Sequence, residues 1–206
     1  VKYDSKFALA ALAMSALSLS ACGSVSENGQ MGSAPVTRGI GTTSSVAQFS
    51  ATGEKPYKVV AVNVDVPRSL TTSEENTIKP RADLLWHEEP FGDRYAQVDK
   101  IMTEALTQGV AGTEGSQPVI MDVTVTRFHA QTERVRRVLG GEHELEFNYT
   151  LRTQDGRIVQ DPAHVDATFR AYGGSRARQA MAEGRTQEVR IRAHLAQWAK
   201  EQFGGA

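Results

Sequence analysis

Thiols are almost missing from this chain. Cys22 is the only cysteine in 206 residues, so there is no partner for an intramolecular disulfide and no thiolate set for a metal. A charge excess is missing as well, with 23 basic against 24 acidic side chains. No global field therefore favours nucleic acid or an anionic membrane face. A spanning helix needs about 20 apolar residues, and the one candidate run, Phe7 to Leu19, stops short of that at Ser20. Catalytic signatures are absent too: no H-E-x-x-H, P-loop, G-x-G-x-x-G or nucleophile elbow occurs, and no internal repeat appears. The chain is therefore expected to be no enzyme and to carry no cofactor and no metal.

What is present begins at the N-terminus. Lys2 and Lys6, with Asp4 between them, precede the apolar run, and the small residues Ser20 and Ala21 follow it. This is the layout of a secretory signal, with Val1 read as a misrecorded initiator methionine. The stretch Leu19, Ser20, Ala21, Cys22 reads as a lipobox, with Cys22 as the first residue of the mature chain. A thiol is the best nucleophile available for accepting a diacylglyceryl group. Cleavage before Cys22 and N-acylation, typically with palmitate, would then follow. One acyl chain holds a protein only marginally, each buried methylene adding about 0.8 kcal/mol, whereas two or more hold it stably. The motif resembles that of bacterial lipoproteins as a class. In Gram-negative members an aspartate after the lipidated cysteine tends to retain the protein in the inner membrane. Gly23 stands there instead, which implies the outer membrane with the domain facing the periplasm. Loss of residues 1–21 removes Lys2, Lys6 and Asp4, so 23 basic and 24 acidic residues become 21 and 23, a formal charge of −2.

Residues 22–56 are rich in Ser, Gly, Thr and Ala without a period of 2 or 3.6. Such a stretch buries too little apolar surface to offset its ordering entropy and is expected to be a flexible tether. Residues 57–206 are long enough for one domain, which at that size buries roughly 70% of its unfolded surface. Tyr57 to Val66 reads as a strand, apolar on both faces and hence expected at a central position, and ended by Pro67. A long connection over residues 68–90 follows, of a length that is uncommon without structure of its own. Asp93 caps a predicted helix to about Gln108, closed by Gly109, with Val98, Ile101, Met102, Ala105 and Leu106 as its apolar stripe. Pro118 to His129 is a second strand, and the segment carrying Leu145, Phe147, Tyr149 and Leu151 a third, forming an antiparallel hairpin with one solvated face. A fourth strand points Val165, Ala167, Phe169 and Ala171 inward. Ser175 caps a last helix with Met181, Ile191, Leu195 and Trp198 as its stripe, breakable at Gly184 and recapped at Thr186. The expectation is an α+β fold of order β-α-β-β-β-α: a mostly antiparallel four-stranded sheet with two helices packed on one face.

Three segments stand out: Trp86-His87-Glu88-Glu89-Pro90-Phe91-Gly92-Asp93-Arg94, Gly140-Gly141-Glu142-His143 and Glu183-Gly184-Arg185-Thr186-Gln187. With the element order and the lipobox, they resemble an uncharacterised group of alphaproteobacterial lipoproteins over roughly residues 57–203. That resemblance implies no catalytic residues. At fold level the architecture is also similar to auxiliary lipoproteins of envelope ABC transporters and to lipopolysaccharide-assembly lipoproteins, an analogy that carries little about function.

Candidate sites divide by chemistry. Trp86, flanked by His87, Glu88 and Arg94, forms a candidate partner surface, since an aromatic among charges can anchor a partner; pinning of the loop to its own core competes with that role. Arg134, Arg136 and Arg137 are candidates for binding an anion or lipid headgroup through bidentate hydrogen bonds, although Glu133, Glu142 and Glu144 surround them. His87, Glu88 and Glu89 with His129 or His143 lack the spacing of a zinc site. The pairs Asp93–Arg94 and Glu88–Glu89 lack a catalytic context, and Gly173–Gly174 before a helix is a weak phosphate signal. The leading expectation is a non-catalytic, lipid-anchored periplasmic protein acting as an accessory or assembly factor of an envelope complex. Its partners would be the membrane and an envelope protein, with no nucleic acid. A module holding a lipid or small amphiphile between sheet and helices is the alternative, and a hydrolase a distant third.

Overall fold

The structure is a computed structural model that describes residues 56–204. The elements are β1 (Tyr57–Asp65), β2 (Leu84–Leu85), α1 (Arg94–Val110), β3 (Gln117–His129), α2 (Glu133–Val138), β4 (Gly141–Arg152), β5 (Ile158–Asp166), β6 (Phe169–Ala171), α3 (Gly174–Ala182) and α4 (Gln187–Phe203). The fold is α+β as expected, but its sheet is six-stranded and mixed rather than four-stranded and mostly antiparallel, and among the described residues there are four helices rather than two.

The strand order is β1-β3-β4-β5, with β2 pairing to β3 and β6 to β4. The sheet is thus four columns wide, and both outer columns are broken. β1 pairs with the first part of β3 and β2 with its last two residues, both parallel. β5 and β6 pair antiparallel with successive parts of β4. The long β3–β4 hairpin in the middle is antiparallel and sets Val123 opposite Tyr149 and Val125 opposite Phe147. Its alternation is as expected, since Leu145, Phe147, Tyr149 and Leu151 are all buried.

β1 departs from expectation: it is an edge strand, not a central one. The cause is a bulge between Val59 and Ala61. One extra residue in a strand reverses which side chains face inward. Val59 is buried, Val60 is 45% exposed, and Val62 and Val64 pack on the core beyond it. Valines on both faces of the sequence therefore serve one buried face in two phases. The Val59 N–H beside the bulge donates to the buried Thr113 hydroxyl at 3.0 Å.

α1 begins where expected, with the Asp93 carboxylate accepting from the N–H groups of Tyr95 and Ala96. It continues through Gly109 to Val110 instead of ending at Gln108. Gly109 is a contact point rather than a terminator: a Cβ there would come within 2.7 Å of the Ala199 Cβ and 2.9 Å of the Ala196 Cα on α4. α1 and α4 lie together on one face of the sheet. Between helices and sheet lie Val98, Ile101, Met102, Leu106, Met121, Phe147, Ile191 and Leu195, each 1% exposed or less. The final helical segment is divided at Gly184, and Thr186 recaps α4 by accepting from the Val189 N–H. The N-cap of α3 is Gly173, not Ser175, and Met181 is 41% exposed on α3 rather than part of the core stripe.

The opposite sheet face carries polar pairs, among them Arg152–Asp122 and Arg127–Glu144, both at 2.5 Å. Pairs of this exposure contribute at most about 1 kcal/mol each, whereas one fully buried large apolar side chain contributes about 1.5–3 kcal/mol. The helix-covered face therefore holds the fold. Among the described residues no helix is long and apolar enough to cross a membrane.

Candidate functional site

The connection after β1 is stapled to the domain by the residues that stood out in sequence. Trp86 is fully buried, edge-on to Phe128 with ring centroids 5.9 Å apart, and its Nε1–H donates to Glu89 at 3.3 Å. It is a core side chain and offers no exposed anchor to a partner. Since a carbonyl oxygen can only accept, His87 Nε2 donates to the Ser73 carbonyl at 2.9 Å and His129 Nε2 to that of Pro80 at 3.3 Å. Arg94 is 6% exposed and pairs bidentately with Glu74 at 2.8 and 2.9 Å. It also donates to the carbonyls of Glu89 and Pro90 and to the Gln97 side chain. The Arg94 hydrogen bond holds the Glu74 carboxyl below its usual range. Asp93 is a helix cap paired with Arg68 at 2.7 Å. Three of the four surface candidates, Trp86, His87 and Arg94, are thus committed to fixing their own loop.

The fourth, Glu88, has a wider role. Its carboxylate accepts from the backbone N–H of Gln187 at 3.1 Å and of Glu188 at 2.6 Å, and from Arg136 at 3.1 Å. The first N–H groups of a helix have no partner inside it and carry partial positive charge. Glu88 therefore acts as a built-in anion at the start of α4, about 100 residues away in sequence. Next to it, the Gln187 side-chain oxygen accepts from the Gln131 N–H at 3.1 Å. Gly140, at φ 74°, lies so close to Gly173 that neither position has room for a side chain. The segments 86–94, 140–143 and 183–187 accordingly meet at one corner, formed by α2, β6, α3 and the start of α4.

That corner contains a shallow, open cleft, lined among others by Arg136, Tyr172, Met181, Arg185, Gln187 and Arg190, with no carboxylate in its lining. The Arg190 guanidinium lies 3.6 Å and that of Arg176 4.0 Å from the centre of the Tyr172 ring. The Tyr172 hydroxyl is held below its usual range, first by its hydrogen bond with Arg176 and then by the charges of Arg190 and its neighbours. Burial pushes Arg190 down, and nearby Arg176 and Arg185 act in the same direction. His143 on β4 is fully buried, 5.0 Å from the Phe169 ring, and neither ring nitrogen has a hydrogen-bond partner. Burial pushes it down to about 3, with Arg190 and His194 adding to the effect.

Of the three arginines expected to share an anion, only Arg136 reaches this cleft, and it is paired with Glu88. Arg137 pairs with Glu133 along α2, and Arg134 makes no ion pair among the described residues. The six residues of α2 separate the three in direction, so the trio is not one site. Arg185 and Arg190 replace Arg134 and Arg137 in the constellation. Sequence reasoning passed over both as site residues, and the one available signal was the Gly184 break that turns the chain between α3 and α4. His87, Glu88 and Glu89 do not converge with His129 or His143, and among the described residues no group of three His, Cys, Asp or Glu could hold a metal. Gly173 precedes α3 but packs against Gly140. Leu19, Ser20, Ala21 and Cys22 lie outside the described residues.

Three solved structures are similar in part. One is a Caulobacter crescentus CB15 protein assigned as a lipoprotein, at 15% identity and TM-score 0.32, covering 52% of this chain and 80% of that one. Another is a Xanthomonas campestris protein of family DUF330, at 12% identity and TM-score 0.43, covering 75% and 87%. The third is a minor lipoprotein from Acinetobacter baumannii, at 15% identity and TM-score 0.32, covering 72% and 91%. No curated protein matches the chain. The model of a family of unknown function (DUF6778) matches residues 57–206, and the chain belongs to that family.

Proposed function

We propose that this chain is a lipid-anchored, non-catalytic periplasmic protein whose folded domain serves as an accessory or assembly factor of a cell-envelope complex. One observation carries the proposal: the tetrapeptide Leu19-Ser20-Ala21-Cys22 directly after an apolar run too short to span a membrane. Diacylglyceryl transfer to the Cys22 thiol, cleavage before it and N-acylation would supply the two or more chains that stable anchoring requires. Gly23 supports sorting to the outer membrane. The domain contributes a rigid body, since its long connection is tied down by Trp86, Glu88 and Arg94.

The test is in-cell cross-linking of the tagged chain beside its Cys22→Ser variant, with membrane fractionation of both. A defined set of envelope proteins captured only by the first form is the expected result. Equal capture by both forms would overturn the proposal. The amphiphile alternative receives no support between sheet and helices, where fully buried side chains such as Met102, Leu106 and Met121 meet.

A further inference from the structure

The cleft at the α2–α3 corner has a chemistry that the anchor and the envelope partner leave unexplained. We infer that it receives the phosphate of an anionic lipid headgroup. Arg136, Arg185 and Arg190 line it and no carboxylate does. Two of these guanidiniums already have a carboxylate partner outside the lining, Arg136 in Glu88, which also caps the start of α4, and Arg185 in Glu183 at the surface, while Arg190 donates to the Arg170 carbonyl at 2.7 Å. Arg176 and Arg190 flank Tyr172 and make no ion pair among the described residues. Guanidiniums gathered in this way repel one another, and a phosphate between them offsets that repulsion with bidentate hydrogen bonds.

The second observation is apolar and marks the source of the phosphate. Ala177, Ala180 and Met181 form one wall of the cleft. Beside it, the end of α2 packs on the start of α3, with Gly140 against Gly173 and the Val138 carbonyl next to Gly174. Val138 and Leu139, which end this helix, are 69% and 64% exposed. Two neighbouring exposed aliphatics, followed around the corner by the 41% exposed Met181 and flanked by Arg134 and Arg137, match the boundary between headgroups and acyl chains. A soluble phosphate would use the arginines but not the aliphatics. A lipid uses both.

The test is flotation of residues 22–206 carrying Cys22→Ser, which have neither the acyl group nor the apolar run at residues 7–19, with vesicles of phosphatidylcholine alone or mixed with phosphatidylglycerol. Recruitment only by the mixed vesicles is expected. Arg185→Gln with Arg190→Gln should weaken it on the order of 25-fold, about fivefold for each guanidinium near the surface. Arg157→Gln, which removes one positive charge in the β4–β5 turn as Arg185→Gln alone does at the cleft, should leave it unaltered, and Val138→Ser with Leu139→Ser should weaken it as well. Arg185→Gln alone, at an exposed position, guards against misfolding of the double variant, and circular dichroism confirms the fold of each. Equal flotation with both vesicle types, or equal loss in Arg157→Gln, would overturn the inference. Calorimetric binding of inorganic phosphate, with Val138→Ser and Leu139→Ser floating like the parent chain, would overturn the lipid in favour of a soluble phosphate. Because the acyl group is absent throughout, failure here leaves lipidation at Cys22 standing.

Discussion

Glu88 shows how much of this corner depends on single side chains. Its carboxylate satisfies two backbone donors of α4 and one arginine while mostly shielded from water. Removing it strands all three groups at once. Glu88→Ala should therefore cost about 2–4 kcal/mol in urea unfolding. Arg136→Ala, which leaves the two N–H bonds in place, should cost clearly less, and equal losses would contradict this account. His143 offers the opposite case, a buried polar ring with nothing to bond. Its folded value near 3 lies below the ordinary value of 6.5, so the unfolded chain binds the proton more readily. Stability from this group is complete above about pH 6.5 and falls with acidification until about pH 3. Between pH 7 and pH 5 the loss is about 2 kcal/mol, or roughly 4–8 °C in melting temperature. His143→Leu should flatten that slope in thermal melts and raise the melting temperature at pH 7. An unchanged slope would count against a neutral buried imidazole.

Among the elements, the α1–α4 contact and the β1 bulge make the sharpest demands. Alanine is the better helix former than glycine by about 1 kcal/mol, so propensity alone favours Gly109→Ala. A Cβ there would nevertheless overlap the backbone and side chains of α4, and overpacking typically costs about 1–3 kcal/mol. The variant should lose stability on balance in urea titrations, because the Ala196 backbone it meets cannot rotate aside as a flexible side chain would. At the bulge, Val60→Asp should leave the melting temperature nearly unchanged, whereas Val62→Asp should lower it by several degrees. Equal effects would mean that the phase change at Val60 is not maintained. These elements also show what was legible beforehand. The alternation through Leu145, Phe147, Tyr149 and Leu151 is clean, and Asp93 and Thr186 cap their helices through local bonds, so β4 and the starts of α1 and α4 could be read directly. The edge position of β1 could not, because one inserted valine makes an edge strand look apolar on both faces. Nor could α2, since none of its six residues is buried and no amphipathic stripe betrays it.

On the scale of the whole molecule, the proposed anchor and the cleft leave different marks in the sequence. The tetrapeptide Leu19-Ser20-Ala21-Cys22, the proposed lipobox, is contiguous; the cleft is assembled from Arg136, Arg185 and Arg190, whose association depends on tertiary packing and leaves no local pattern. Metabolic labelling with an alkyne palmitate should mark the wild-type chain and not Cys22→Ser, as read by in-gel fluorescence, and label in both would remove the anchor from the account.

The broken outer columns of the sheet have a further effect. An open edge strand is a template on which another chain can pair. Here one edge is interrupted by the bulge at Val60, near Lys58, and the other carries Asp161 and Pro162 within β5 before giving way to β6. Neither offers a long, flat row of free backbone groups. On the proposed anchoring, copies tethered to one bilayer would meet at high two-dimensional concentration, where even a weak tendency to zip edge to edge would become aggregation. The irregular margins would let such copies crowd together and still remain separate.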